Sequence, residues 1–409
     1  MSSIQPSTNA QDEVYWQGIT QQFMVSPGEI YLNTGSWGVQ ARPVFEALVQ
    51  RMEALEGNPT RNRKIHNEAV ASSRKCLAQF VNAPPENLTF VTNVTIAINH
   101  VVLGLTWQPG DEILTSDQEY GAIDNCLHHA SQRWGLTIKR ATIPIPPSDP
   151  QEIVDAFRKE ISDKTRLLVC SHIASQRGLI TPVQKLADLA HHHGALIAID
   201  GAHAPGMIPL DLETYGVDFY GGNCHKWLCA PKGTGFLYAR SEVQDLLQPI
   251  AVSWGYNQNG ATRTEDGQLQ INGQPFLWQL SHIGTRELAC FATVADAIAF
   301  QNEIGKDRIL ARGKQLTSYL RQKLGQTEWA KLVTPTHPEM SGLLSTFQLE
   351  GFNGLPLGQV LYDRYRITTP VSQNRQNCTQ RVSTHIYNSF SEIDTLVDAL
   401  TELREEALA

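Results

Sequence analysis

Six residues, Ala195-Leu-Ile-Ala-Ile-Asp200, constrain this chain more than any others. They are apolar without alternation and end in a carboxylate. A strand with one wet face alternates apolar and polar residues, so an unbroken run fits a strand covered on both faces. Related runs recur at Leu88–Thr92, Asp111–Thr115, Thr137–Ile145, Arg166–His172 and Gly235–Ala239. Helical patterns lie between them, at Thr95–Leu105, at Gly121–Trp134, and from Thr181–Pro182 to the stop at Gly194. In the last of these, Val183, Leu186, Ala187 and Ala190 share one face. Strand and helix in alternation predict a doubly wound, mostly parallel α/β sheet.

Upstream, a helix is expected around Glu13–Phe23 and a short strand at Ile30, which breaks into the loop ending at Gly38. Two more helices follow, from Arg42–Pro43 to Gly57 and over Ile65–Val81. Downstream of residue 285 the patterns are helical at Ala289–Asn302 and Arg308–Leu324, extended at Gly342–Leu349 and Arg381–Tyr387, and helical again from Glu392. This reads as a smaller α+β domain. The polar stretch 257–275 is the expected long loop. The division expected is an N-terminal segment (1–30) packing on the small domain, a large cofactor-binding domain (31–284) and a small C-terminal domain (285–409).

With 409 residues there is room for two domains and a substantial core. A net charge of −8 argues against nucleic acid or an anionic membrane as the main partner. No apolar run has the length of a membrane span, and the opening residues lack a secretory pattern. Seven scattered cysteines without a C-x-x-C pair suit reduced thiols and a cytoplasmic location. His191–His193 are consecutive, so they cannot face one metal ion together; a solvated helix cap is expected, and no metal site.

In a parallel sheet, ligands sit beyond the carboxyl ends of strands and at helix N-termini. Polar residues gather at four such ends. Thr92-Asn93-Val94-Thr95 opens a helix, with backbone amides suited to a phosphate. Ser171, His172 and Ser175 follow Val169. Asp200 precedes His203, and Asn223, His225 and Lys226 follow Phe219. A lysine among small and aromatic residues at a strand end is partly desolvated and can become an imine-forming nucleophile. Singly, each signal has a plain structural explanation: a surface lysine, an aspartate capping a helix, a threonine N-cap. Together and in this order they suggest pyridoxal 5'-phosphate. The lysine would hold the aldehyde, the carboxylate would keep the pyridine nitrogen protonated, and the helix start would take the phosphate.

The motifs Asp200-Gly-Ala-His203, His225-Lys226-Trp227 and Pro231-Lys-Gly-Thr-Gly235 resemble those of class V aminotransferases, fold-type I pyridoxal-phosphate enzymes. Glu119-Tyr120-Gly121-Ala122, Gly284-Thr285-Arg286 and the segment Arg381–Asn388 are similar to isopenicillin N epimerase-like proteins, a subgroup that includes cysteine/cystine and sulfoxide C–S lyases. The resemblance implies a fold-type I transferase with a mostly parallel seven-stranded sheet and a smaller α+β domain. It also implies roles. Lys226 would carry the cofactor and move the Cα proton, Asp200 would pair with the pyridinium nitrogen, and His203 and Ser175 would lie near the ring oxygen. Tyr120 would stack on the ring. Asn93, the Val94 amide, Thr95, Asn223 and His225 would bind the phosphate. Thr285 would complete the phosphate site of a neighbouring subunit, which implies an obligate homodimer. Arg381, assisted by Asn33, would clamp the substrate α-carboxylate. Trp37 and Trp254 are candidates for the pocket wall.

All such enzymes begin with loss of the Cα proton from an external aldimine of an L-amino acid. Epimerisation needs a second base, for which Tyr120, His172 and His203 are candidates. β-Elimination needs Lys226 alone. Epimerisation is the leading expectation, with C–S lysis as the alternative and transamination third. A cysteine desulfurase needs a nucleophilic cysteine on a mobile loop. Here Cys378 falls at the start of the strand that carries Arg381. A non-catalytic binding protein is disfavoured because Lys226 and Asp200 are both present.

Overall fold

The structure, a computed structural model, describes residues 13–253, 256, 261–271, 273–352, 355–374 and 377–408. Its centre is a seven-stranded sheet, which in spatial order runs Leu88–Val91, Gly235–Ala239, Phe219–Asn223, Leu196–Gly201, Thr165–Ser171, Glu112–Ser116, Thr137–Ala141. Every neighbouring pair is parallel except those made by Gly235–Ala239, which runs antiparallel to both its neighbours. The Pro/Gly turn after Lys226 makes that reversal possible without a crossover helix. The unbroken apolar run behaves as expected: Ile197, Ala198 and Ile199 are wholly buried. Ile197 and Ile199 join one apolar layer, with Leu186 and Ala187, whereas Ala198 joins the opposite layer, with Ala97, Ile98 and Val101 of the Val94–Gly104 helix.

A second, four-stranded antiparallel sheet runs in the order Ala330–Leu332, Leu344–Leu349, Cys378–Ser383, Val371–Gln373. Its apolar face, with Phe347 and Val382, is covered by Leu316 and Leu320 of the Lys306–Gly325 helix and by Leu396 and Leu400 of the Phe390–Leu408 helix. The N-terminal segment is tied to this half of the molecule. Ile30–Tyr31 pairs in parallel with Ile367–Thr368, Asn33 bridges to Ser383, and Glu13 forks onto the buried guanidinium of Arg312.

Several elements differ from the sequence reading. The second long helix starts at Pro59 rather than Ile65, because Asn58 caps it by accepting the Arg61 amide. A helix over Pro150–Glu160, capped by Asp149, was not anticipated. The strand expected over Arg381–Tyr387 is Cys378–Ser383; beyond it the chain turns, with the His385 amide bonded to the Asn388 side chain. Within the expected 257–275 loop, the described residues build a small antiparallel sheet of Ala261–Arg263, Leu269–Ile271 and Gln274–Pro275, whose Leu269 and Ile271 reach the large core. His191 is hydrogen-bonded through Nε2 to buried Asp218 at 2.9 Å, rather than being a purely solvated cap. Among the described residues, no helix is long and apolar enough to cross a membrane and no group of side chains could hold a metal ion.

Candidate active site

The carboxyl edge of the large sheet gathers the predicted residues by register. Ser171, Asp200 and Gly221 are side-by-side partners on three adjacent strands. Asp200 is buried, and its Oδ1 accepts the Ala202 amide at 2.9 Å. Burial raises its pKa, while that hydrogen bond and the nearby Lys226 oppose the rise. Three residues on, His203 is buried between two partners. The Trp227 indole donates to its Nδ1 at 3.3 Å, and its Nε2 lies 3.3 Å from Lys226 Nζ.

This pair of contacts fixes a proton. An indole nitrogen only donates, so His203 Nδ1 accepts, and a neutral imidazole then carries its hydrogen on Nε2. Burial first, and then Lys226 and Arg381, hold the His203 pKa well below its ordinary value, so the ring is neutral. Its Nε2–H therefore points at the lysine nitrogen and is satisfied by a neutral amine. Lys226 is tuned the same way: burial lowers its pKa to about 8, Asp200 opposes the shift, and Arg381 adds to it. The amine is held partly unprotonated near neutral pH, which an imine-forming lysine requires.

Lys226 follows the Phe219–Asn223 strand and is stitched to the N-terminal loop. The Gly38 amide donates to the His225 carbonyl at 2.9 Å, and the Lys232 ammonium donates to the Gly38 carbonyl. That same loop supplies Asn33 and Ser36 to Arg381. The Arg381 Nη1 donates to the Ser175 carbonyl at 2.9 Å, and its Nη2 to Asn33 Oδ1 at 3.2 Å and Ser36 Oγ at 2.7 Å. Ser175 therefore contributes its backbone here, not its hydroxyl. Of the five guanidinium N–H groups, Nε–H and one on Nη1 remain. Nε is buried with no partner among the described residues. A buried, unmet guanidinium donor is what a carboxylate ligand would satisfy.

At the helix start opposite, Asn223 Oδ1 accepts the Val94 amide at 2.9 Å and Asn93 Oδ1 accepts the Ile96 amide at 3.0 Å. Thr95 is half-buried beside them. An anion here would have the dipole of the Val94–Gly104 helix in its favour, and would take the Val94 amide by exchange with Asn223. His225 bonds through Nδ1 to the Thr234 carbonyl at 2.7 Å, and burial lowers its pKa to about 4. Its Nε2 is then an acceptor, and would hold a phosphate only by gaining a proton. Tyr120, immediately before the Gly121–Trp134 helix, leaves half its ring exposed on this edge. Thr285 is exposed on the turn before Ala289–Ala292 and bonds to none of the others among the described residues.

Four participants escaped the sequence reading. Ser36 holds Arg381, and Trp227 fixes the His203 tautomer. Tyr31, near Arg381, has its pKa raised to about 12, chiefly by burial. Glu119 accepts from Ser116 and Ser171 on neighbouring strand ends, and burial lifts its pKa to about 7. Ser36 had a signal in its Gly-punctuated loop, and Trp227 and Glu119 stood in motifs that carry the family resemblance without a role being given to them. His172 is engaged by the Tyr220 hydroxyl at 2.8 Å within the core, and burial takes its pKa to about 3. Trp37 is exposed and inclined over His225, whereas Trp254 lies outside the described residues. Cys378 is buried in the ladder opposite Leu349 and Gln373, and burial pushes its thiol up to about 11.

Comparison with known proteins agrees with this geometry. The model of the family "Aminotransferase class-V" matches residues 30–396. An isopenicillin N epimerase of Amycolatopsis lactamdurans is 36% identical, over 95% of this chain and 98% of its own length. A hercynylcysteine sulfoxide lyase of Schizosaccharomyces pombe is 25% identical, over 72% of this chain and 74% of its own. Among solved structures, the cystine C–S lyase C-DES, in complex with its product cysteine persulfide, superposes with a TM-score of 0.80 at 23% identity, covering 92% of this chain and 98% of that one.

Proposed function

This chain belongs to the class-V aminotransferase family and is a pyridoxal-phosphate-dependent enzyme, and from that premise we propose that it deprotonates the Cα of an L-amino acid in an epimerisation like that of isopenicillin N epimerase. The observation that carries the proposal is the Lys226 amine, tuned to about 8 and faced by the neutral His203, with the unmet donor of Arg381 on the same edge. The 36% identity to an epimerase over nearly the whole chain supports the choice of reaction.

The residues fit the cofactor. Asp200, buried and ionisable, would face the ring nitrogen, with His203 and Ser175 near the ring oxygen and Tyr120 covering the ring. Asn93, the Val94 amide, Thr95, Asn223 and His225 would hold the phosphate, completed by Thr285 from the second subunit of a homodimer. When bound, the cofactor supplies an electron sink that acidifies the substrate Cα–H. The chain's own residues then do the rest. Arg381, positioned by Asn33, Ser36 and the Ser175 carbonyl, orients the α-carboxylate through its unmet Nε–H. Lys226 Nζ takes the Cα proton. Tyr120 and His203 are the candidates for proton delivery to the other face; His172, held by Tyr220, is a weaker one. The proposed layout keeps residues 1–30 as a segment on the small domain, 31–284 as the cofactor domain and 285–409 as the small domain, in a cytoplasmic protein.

A second reading, C–S lysis, is supported by the likeness to a sulfoxide lyase and by the fact that Lys226 alone could serve as both base and acid. Persulfide chemistry on Cys378 is disfavoured by its burial within a strand. The deciding experiment incubates holoenzyme with L-amino acids, L-cystine and cysteine S-oxides in deuterated water. D-product with Cα deuterium and no pyruvate supports epimerisation. Pyruvate from sulfur substrates, abolished in Lys226→Ala, overturns it in favour of C–S lysis.

A further inference from the structure

One cavity, of about 550 Å³, opens outward from Arg381 between the two sheets. Its floor is the polar face of the four-stranded sheet. Register explains the polarity: Thr346 faces Arg381 on the adjacent strand, and Lys331, Gln348, Thr379 and Ser372 form the next row. Phe347, between these two rows, and Val382, on the far side of Arg381, turn to the apolar core. The wall is the Gln176–Arg177 backbone, pinned to the sheet because Thr346 donates to the Gln176 carbonyl at 2.7 Å and Thr334 donates to that of Arg177. The cavity thus carries three cations, Arg381, Arg177 and Lys331, and no aspartate or glutamate among its lining residues. Arg381 is occupied in part by Asn33 and Ser36. Arg177 and Lys331 form no ion pair among the described residues, although the field of Asp117 reaches Arg177. A protein surface with a net charge of −8 that keeps three cations and no acid in one concavity is shaped for a negative ligand.

The spacing sets the ligand's length. Lys331 lies two residues along and two strands across from Arg381. At strand dimensions that is about 6.5 Å by about 9.5 Å, hence roughly 12 Å between Cα atoms. We propose that this cavity is a second anion subsite, in which Arg177 and Lys331 hold the distal carboxylate of an L-amino acid whose side chain carries it on the order of 10 Å from the α-carboxylate. The inference rests on Arg381 taking the α-carboxylate and deepens that reading. It makes the substrate a long, doubly anionic amino acid rather than a short one such as alanine or cysteine.

The test uses L-γ-glutamylglycine, whose two carboxylates are about that far apart, and L-γ-glutamylglycinamide, which lacks the distal charge. Dissociation constants are read from the absorption change of the cofactor band on titrating the holoenzyme. The acid is expected to bind about tenfold tighter than the amide. Arg177→Gln and Lys331→Ala are each expected to reduce that ratio, and together to bring it close to one. Neither substitution removes the backbone bonds that pin the wall. Equal binding of acid and amide by the native enzyme, with a spectral response to both, overturns the subsite and leaves the functional reading intact. No spectral response to these or to any other L-amino acid overturns the functional reading and the subsite with it.

Discussion

Gly38 is the point where the N-terminal loop meets the lysine loop, and Gly38→Ala probes both halves of the site at once. A Cβ built there would sit 1.8 Å from the Lys226 carbonyl oxygen, 2.9 Å from its carbon and 3.2 Å from Cys229 Sγ. The first two are backbone atoms, so no rotamer change relieves them. Restoring an ordinary contact of about 3.5 Å requires a backbone displacement of roughly 1.5 Å. The displaced loop carries Asn33 and Ser36, which hold Arg381, and the displaced carbonyl belongs to Lys226. Overpacking of this kind costs about 1–3 kcal/mol of stability, and a 1 Å error in positioning costs about a hundredfold in rate. The expected result is a folded, less stable protein whose Cα-proton exchange on an L-amino acid, followed by NMR in deuterated water, falls at least about a hundredfold. An exchange rate within about threefold of native with an unchanged melting temperature refutes the idea that this contact sets the site's geometry. Gly325→Ala serves as the comparison. Its Cβ would meet nothing within 4 Å at the end of the Lys306–Gly325 helix, so it should stabilise by about 0.5 kcal/mol in calorimetry.

Other outcomes follow from the same contacts. The apoenzyme should capture pyridoxal phosphate through the neutral Lys226 amine, so the association rate should rise with pH to a midpoint near 8; a midpoint near 10.5 refutes the desolvation argument. Asp200→Asn removes an attraction that favours the ammonium form, so the midpoint should move lower still, and an upward shift would contradict the sign. Arg381→Lys cannot reproduce the fork held by Ser175, Asn33 and Ser36, and should raise KM for an L-amino acid about tenfold or more in steady-state kinetics. Glu13→Ala strands the guanidinium of Arg312, which is 1% exposed; because Glu13 itself is partly solvated, a loss of about 2 kcal/mol is expected in denaturant unfolding. Cys378→Ala should leave the exchange rate within about twofold, and its abolition would restore a catalytic thiol.

How much of this was legible depends on which physical term decided each element. The large sheet was readable because strands buried on both faces leave no polar alternation: Ile197 and Ile199 point into one layer and Ala198 into the other, and nothing outside the run was needed to say so. The edge residues Asp200, Asn223 and Lys226 were readable because strand ends are where a parallel sheet puts them. The missed helix at Pro150–Glu160 carries an Asp-Pro start as plain as any, but its apolar face, Ile153, Val154, Ala156 and Phe157, follows a strand expected to run four residues too far. Boundaries failed where a cap decided them, as at Asn58. What the sequence could not reveal are contacts made by residues hundreds of positions apart. The Asn33 contact was expected from the family resemblance alone, but Ser36 reaches Arg381 because the Ile30–Tyr31 strand pairs beside Ile367–Thr368, a pairing no local pattern encodes. The same is true of the His203 tautomer, set by an indole twenty-four residues away, and of Glu119, whose carboxyl is held by serines from two strands. The lysine and aspartate were visible as residue types, but their tuning is a property of the packed edge. The Lys226 amine owes its depressed pKa first to the apolar walls around it and then to Arg381, a residue delivered by the other sheet. A substitution in the N-terminal loop that moves Arg381 should therefore alter the lysine's titration without touching the lysine.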